Sequence, residues 1–279
     1  MSYDAMNTLP LYLVACVLDQ GEEEWKAVWR CVCKSWAHHL ATHVTCANVH
    51  IHSVPLLTWA LDHGYVGSSV TTTMAAQFGP LDVVKLCDSR WSWYNDPIAY
   101  YRAAINGRVD VMKILKDHST HTYYRTFYRA AYRGHLDVLQ LLTRANGVDT
   151  TILYGAAKGG HKHILQWAYD RGANFDSYVS TKAAQGGHLD VLQWLHDHYC
   201  PMDELTYCAG VATGSLEMVK FLRGCPFSIQ AVSLAASRGF LDIVQYFFDT
   251  YDIFDRAFVY ANAKRSDQTH VTQWLDEIQ

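Results

Sequence analysis

The sequence predicts an all-α fold built from short helix pairs stacked in tandem, and three observations predict it. A motif returns about every 27 residues: Ala130–Leu142 reads AAYRGHLDVLQLL, Ala183–Leu195 reads AAQGGHLDVLQWL and Ala235–Phe247 reads AASRGFLDIVQYF. Within each copy the apolar spacing is helical. A Gly divides each copy into two segments. Tandem copies at a short fixed period form a solenoid, in which each unit buries its apolar faces against its neighbours.

The bulk numbers agree with a globular chain. Of 279 residues half are apolar and 18% are charged, with a net charge of -4. No basic excess or basic stripe stands out along the chain, so nucleic acid is not the expected partner. The apolar run Leu9–Leu18 is too short to span a bilayer, and Asp4, not a basic region, precedes it. Neither a membrane span nor a secretory signal is expected. The eight Cys form no CxxC pair, which fits reduced thiols in the cytoplasm or nucleus.

The first 45 residues do not repeat. Leu9-Pro10 opens a helix whose apolar face is Leu13, Val17 and Leu18. An acidic turn follows at Gly21–Glu24, then Trp25–Arg30, then Val32-Cys33-Lys34-Ser35-Trp36. The expectation is two or three small helices, too small to be stable alone. Nearby, Cys31, Cys33, His38, His39, His43, Cys46, His50 and His52 crowd together, but their spacings match no familiar zinc finger. No metal or other cofactor is expected.

From residue 46 to 279 the repeats take over. Anchoring each on the first residue of its LDVLQWL-type segment gives Val54, Leu81, Val109, Leu136, Lys162, Leu189, Leu216, Leu241 and a worn Thr269. The first segment of a unit ends in paired alanines, at 75–76, 103–104, 130–131, 156–157, 183–184 and 235–236. Alanine favours helix and leaves room for a neighbouring backbone. The turn Gly, from Gly79 through Gly239, is suited to positive φ and a helix end. The second segment carries apolar residues at positions 1, 3, 4, 6 and 7, with Trp59, Trp167, Trp194 and Trp274 at position 6 as expected core. An acid one residue into that segment, such as Asp137 or Asp190, suits the positive end of a helix dipole. His135, His161 and His188 recur in the turn, one per unit. Neighbouring units lie about 10 Å apart, too far for one metal ion to bridge, so a turn-stabilising hydrogen bond is expected. Adjacent aromatics (Tyr100-Tyr101, Tyr123-Tyr124, Phe127-Tyr128) are expected to place one ring of each pair at the surface.

Two resemblances follow. The A-A-x-x-G-H-L-D-V-L units resemble ankyrin repeats, over more than four-fifths of the chain. The usual Thr-Pro-Leu-His opening is missing and the period is shorter than 33, so connections such as Thr143–Asp149 are expected to be stunted hairpins or plain loops. The short units and the Cys-Pro connections at 200–201 and 225–226 are similar to divergent ankyrin arrays of protists and giant DNA viruses. The N-terminal segment resembles an F-box, which opens with Leu-Pro and reaches Val-Cys-Lys-x-Trp about 23 residues later.

These resemblances imply a function. The F-box would dock on the adaptor subunit of a cullin-RING ubiquitin ligase through Leu9, Pro10, Leu13, Val17, Val32, Cys33 and Trp36. The array would hold a protein target on its concave face. The two positions before each turn Gly are the implied contacts: Gln77, Phe78, Asn106, Tyr132, Arg133, Lys158, Gln185, Thr213 and Arg238. The middle units, rich in aromatics, are the expected docking patch. No phosphate loop, nucleophile elbow or HExxH is present in the sequence, so the chain is read as a non-enzyme. A bare ankyrin scaffold or sequestering protein is the alternative.

Overall fold

The structure is a computed structural model and describes residues 54–62, 67, 69–90, 97–115, 123–143, 147–251 and 255–278. Among these residues every regular element is helical. The F-box-like segment, including Leu9, Pro10, Leu13, Val17, Val32, Cys33 and Trp36, lies outside the described residues. The chain divides into two compact units, one ending at Thr122 and the other running from Tyr123 to Gln279.

In the first unit, α1 (Val54–Asp62) precedes two helix pairs, α2 (Ser69–Phe78) with α3 (Leu81–Arg90) and α4 (Pro97–Ile105) with α5 (Val109–Leu115). Helix α2 packs on α4, and α3 packs on both α1 and α5. Their core is Ala75, Ala76, Ala103 and Ala104 on the first helices and Val83, Val84, Cys87, Val111 and Met112 on the second. Burial pushes the Cys87 thiol up to about 12, so it behaves as a small apolar side chain.

The second unit repeats this plan. Its first helices are α6 (Tyr123–Tyr132), α8 (Thr150–Gly159), α10 (Ser177–Gly186), α12 (Glu204–Ala212), α14 (Ile229–Arg238) and α16 (Arg256–Arg265). Its second helices are α7 (Leu136–Leu142), α9 (Lys162–Tyr169), α11 (Leu189–Asp197), α13 (Leu216–Phe221), α15 (Leu241–Thr250) and α17 (Thr269–Glu277). Every second helix begins at the residue that the repeat register marks. Each first helix packs along the next, α6 on α8 through to α14 on α16, and each also packs on its own second helix.

The alanine pairs explain how close the first helices come. All of them are fully buried. Gly155 goes further: a Cβ there would collide with the backbone carbonyl of Tyr128 and touch the Ala131 methyl. The second helices are held by bulk instead. Ile164, Leu165, Val191, Leu192 and Leu195 are fully buried, with Trp167 and Trp194 nearly so. Trp274 is half-buried, against Phe248 at 5.4 Å between ring centroids. Between α12 and α15 the core is aromatic: Phe227 lies 5.5 Å from Tyr207, 5.7 Å from Phe247 and 4.5 Å from Tyr251.

The first helices start on a signal the repeat motif does not contain. Asp149, Asp176, Asp203, Ser228 and Asp255 accept hydrogen bonds from backbone N–H groups of the turn that follows, capping α8, α10, α12, α14 and α16. Among the described residues the connections before them contain no strand.

Two expectations are corrected. Gly79 does not adopt positive φ, although Gly107, Gly134, Gly160, Gly187, Gly214 and Gly239 do. Pro80 follows Gly79 and restricts it, and the Gly79 N–H instead continues the helix by donating to Ala75 O at 2.9 Å. Asp267 takes the left-handed turn in the worn last unit. Of the adjacent aromatics, two pairs do not place a ring at the surface as expected. Tyr124 is exposed, but Tyr100, Tyr101, Phe127 and Tyr128 are all half-buried.

Candidate functional site

At the C-terminal end of each first helix, backbone carbonyls run out of intrahelical donors. The positive-φ Gly solves part of this. The residue after it returns its N–H to the first alanine of the pair: His135 to Ala130, His161 to Ala156, His188 to Ala183 and Phe240 to Ala235, all between 2.9 and 3.2 Å. The imidazoles solve the rest across the repeat. His161 Nε2 lies 2.9 Å from Tyr132 O, and His188 Nε2 lies 3.1 Å from Lys158 O. A carbonyl only accepts, so Nε2 carries the proton in both rings. His163 and His270 bond the turn carbonyls of Gly134 and Gly239 in the same way. In two turns without a His an arginine takes this role: Arg238 donates to Ala212 O at 2.6 Å, and Arg108 in the first unit donates to Ala75 O at 3.0 Å.

This edge is therefore built, and the turn glycines make room for it. A Cβ on Gly134 or Gly160 would enter the ring of His161 or His188. Burial lowers the His161 pKa below the ordinary imidazole value, and the neighbouring His163, His188 and His135 lower it further, while the bond to Tyr132 O opposes the shift. No group of three or more His, Cys, Asp or Glu among the described residues is placed to hold a metal ion.

The sequence-derived contact residues divide by geometry. The position immediately before the turn Gly points at the preceding repeat at Gly159, Gly186 and Arg238. A Cβ on Gly159 or Gly186 would strike the carbonyl of Tyr132 or Lys158, and Arg238 reaches Ala212 O. Thr213, exposed at this position, returns its hydroxyl to Gly210 O at 2.6 Å. Asn106 is half-buried and donates to Arg102 O within its own helix. Phe78 and Arg133 are exposed. One residue earlier the side chains open outward: Tyr132 and Gln185 are exposed, and Lys158 and Gln77 are half-buried. Tyr132 stacks on Tyr128 at 6.3 Å. Gln185 accepts from Lys182 Nζ at 3.0 Å.

Three further features escape the repeat pattern. First, tyrosines line the row of α6, α8 and α10. Tyr154 and Tyr178 meet edge to face at 4.9 Å, and Lys182 Nζ sits 4.4 Å over the Tyr178 ring. The Tyr154 hydroxyl donates to Asp176 Oδ2 at 2.7 Å, which raises its pKa. Second, the first turns of the first helices expose apolar side chains: Tyr124, Tyr178, Leu205, Ile229 and Phe258. Third, charge is segregated. Among the described residues of the second unit, the first helices hold eight Lys or Arg and one acid, Glu204. The second helices hold eight acids and two Lys. The linear sequence shows no basic stripe, but folding makes one by alternating basic and acidic segments. The signal was present as a charge period matching the repeat.

Burial favours the protonated thiol at each described cysteine. Cys87, Cys200, Cys208 and Cys225 are free thiols, and burial raises the pKa of each, that of Cys200 to about 11. No described helix is long and apolar enough to cross a membrane.

Fold and surface together define an all-helical, repeat-like protein with one aromatic, cation-fringed row of helices. No protein-family model matches the chain, and no curated protein matches it either.

Proposed function

We propose that the chain is a protein-binding adaptor: an ankyrin-type solenoid that holds a target protein on its first-helix row, joined to an F-box-like segment that presents the target to a cullin-RING ubiquitin ligase. In this reading it is not an enzyme and needs no cofactor. The observation that carries the binding half is the set of Tyr128, Tyr132, Tyr154 and Tyr178, half-buried or exposed on adjacent helices whose other sides are sealed by fully buried alanines. Tyrosine supplies large contact area at low conformational cost and is enriched at interface hot spots. The ligase half rests on the spacing of Leu9-Pro10 and Val32-Cys33-Lys34-x-Trp36 in the sequence.

Co-purification of the full chain with the small adaptor subunit of cullin-RING ligases tests the ligase half. Wild type should bind, and Leu9→Ala/Pro10→Ala/Trp36→Ala, with an unchanged circular dichroism spectrum, should not. Failure of both to bind leaves a bare ankyrin scaffold or sequestering protein. For the binding half, Tyr132→Ala/Arg133→Ala should weaken target capture about tenfold or more with little change in stability. Unchanged capture would move the site off this row.

A further inference from the structure

We infer that the first-helix row of the second unit takes an acidic protein segment, a conclusion that rests on that row being the target-binding face. Charge complementarity carries it. Lys158 stands one helical turn from Tyr154 on α8, and Lys182 stands over Tyr178 on α10. Lys264 and Arg265 extend the cations along the row as exposed side chains on α16.

The acids of this row are already engaged. Asp149, Asp176, Asp203 and Asp255 sit at helix N-caps, where backbone N–H groups and the helix dipole compensate their charge. Asp176 additionally accepts the Tyr154 hydroxyl. Within the helices Glu204 is the one acid among the described residues. The row therefore presents ammonium groups beside tyrosine rings on α8 and α10, with further cations on α16, a surface that matches carboxylates alternating with apolar or aromatic side chains. The exposed apolar residues Leu205, Ile229 and Phe258 on the same helices favour a polypeptide over a phosphodiester backbone, which offers them nothing to bury. The second helices, dominated by acids, would repel such a segment.

Fluorescence anisotropy of the full chain against three labelled probes decides the matter. The probes are a peptide alternating Glu with Phe, the same peptide with Lys in place of Glu, and an oligo(dT) strand of about twenty nucleotides. The Glu peptide should bind and should weaken severalfold as salt rises from about 50 to about 300 mM. It should lose about tenfold in affinity in Lys158→Glu/Lys182→Glu, and about threefold in the milder Lys158→Gln/Lys182→Gln should the first variant misfold. The second-helix control Lys162→Glu/Lys220→Glu should bind as wild type. Equal binding of both peptides, lost in Tyr132→Ala, overturns the acidic partner and leaves the row a protein-binding face. Tighter binding of oligo(dT) overturns both readings in favour of nucleic acid. Self-association that the Lys158/Lys182 variants abolish makes a second copy the occupant and overturns the inference. Absence of binding by every probe also overturns it.

Discussion

The two rows of helices in the second unit obey one period but are assembled by opposite means. First helices approach each other at backbone distance, through Ala130, Ala131, Gly155, Ala156, Ala157, Ala183 and Ala184. Second helices stand further apart and are joined by large side chains, Leu165, Trp167, Leu192, Trp194 and Phe247. One row is limited by how small a residue can be, the other by how well a large one fills space. The rows should therefore fail in different ways: the first when atoms are added, the second when they are removed.

The largest loss should come from the second row. Trp194 is 6% exposed and packs against Tyr169, Phe175 and His198, the last stacked at 4.0 Å. Trp194→Ala should cost about 3–5 kcal/mol in denaturant unfolding. A cost under about 1 kcal/mol would mean that bulk does not hold this row. Next comes the first row. Gly155→Ala adds one methyl where the Tyr128 carbonyl already stands, and a backbone carbonyl cannot swing aside as a side chain does. We expect about 1–3 kcal/mol of destabilisation from overpacking, from a substitution that favours an isolated helix. A gain in stability would refute backbone-limited packing.

Much of this contrast was legible in the sequence. The repeat register placed the start of every second helix, because in most units the turn Gly and the acid after it are local signals with local causes. The alanine pairs announced a close approach. What stayed hidden was relational. Asp149, Asp176 and Asp203 recur at the 27-residue period itself, but they stand in the connections outside both helical segments, and an Asp there becomes a cap only once the first N–H groups of the next helix are placed beside it. The position before the turn Gly reads as surface on a single helix, and becomes an inter-repeat contact only once the preceding carbonyl is placed beside Gly159 and Gly186. The basic row is invisible in a net charge of -4 because the acids of the second helices cancel it.

The turn edge joins the rows, and its effects should be smaller. His188→Ala removes the donor to Lys158 O together with the ring packed against Gly160 and Gly186. The orphaned carbonyl is part-exposed and can turn to water, so about 1 kcal/mol is expected from urea unfolding. A loss above about 3 kcal/mol would show that the cross-repeat bonds, not the alanine contacts, hold the row.

The finest distinction is in pH. His161 is held neutral by burial and by the imidazoles of His163, His188 and His135 around it, so its pKa in the fold lies below the ordinary 6.5. Between those two values the unfolded chain binds a proton that the folded chain does not. Its contribution is therefore fully present above about pH 6.5, and it is lost as pH falls through 6.5 toward the folded value. His161→Gln keeps an N–H donor for Tyr132 O but cannot titrate. Compared at about pH 7.5 and about pH 5.5, wild type should lose more stability than this variant, by the smallest margin of the four substitutions because the ring is partly open to solvent. Equal losses would mean that the ring is as well solvated in the fold as in the unfolded chain, and that the turn edge, unlike the alanine row, does not exclude water.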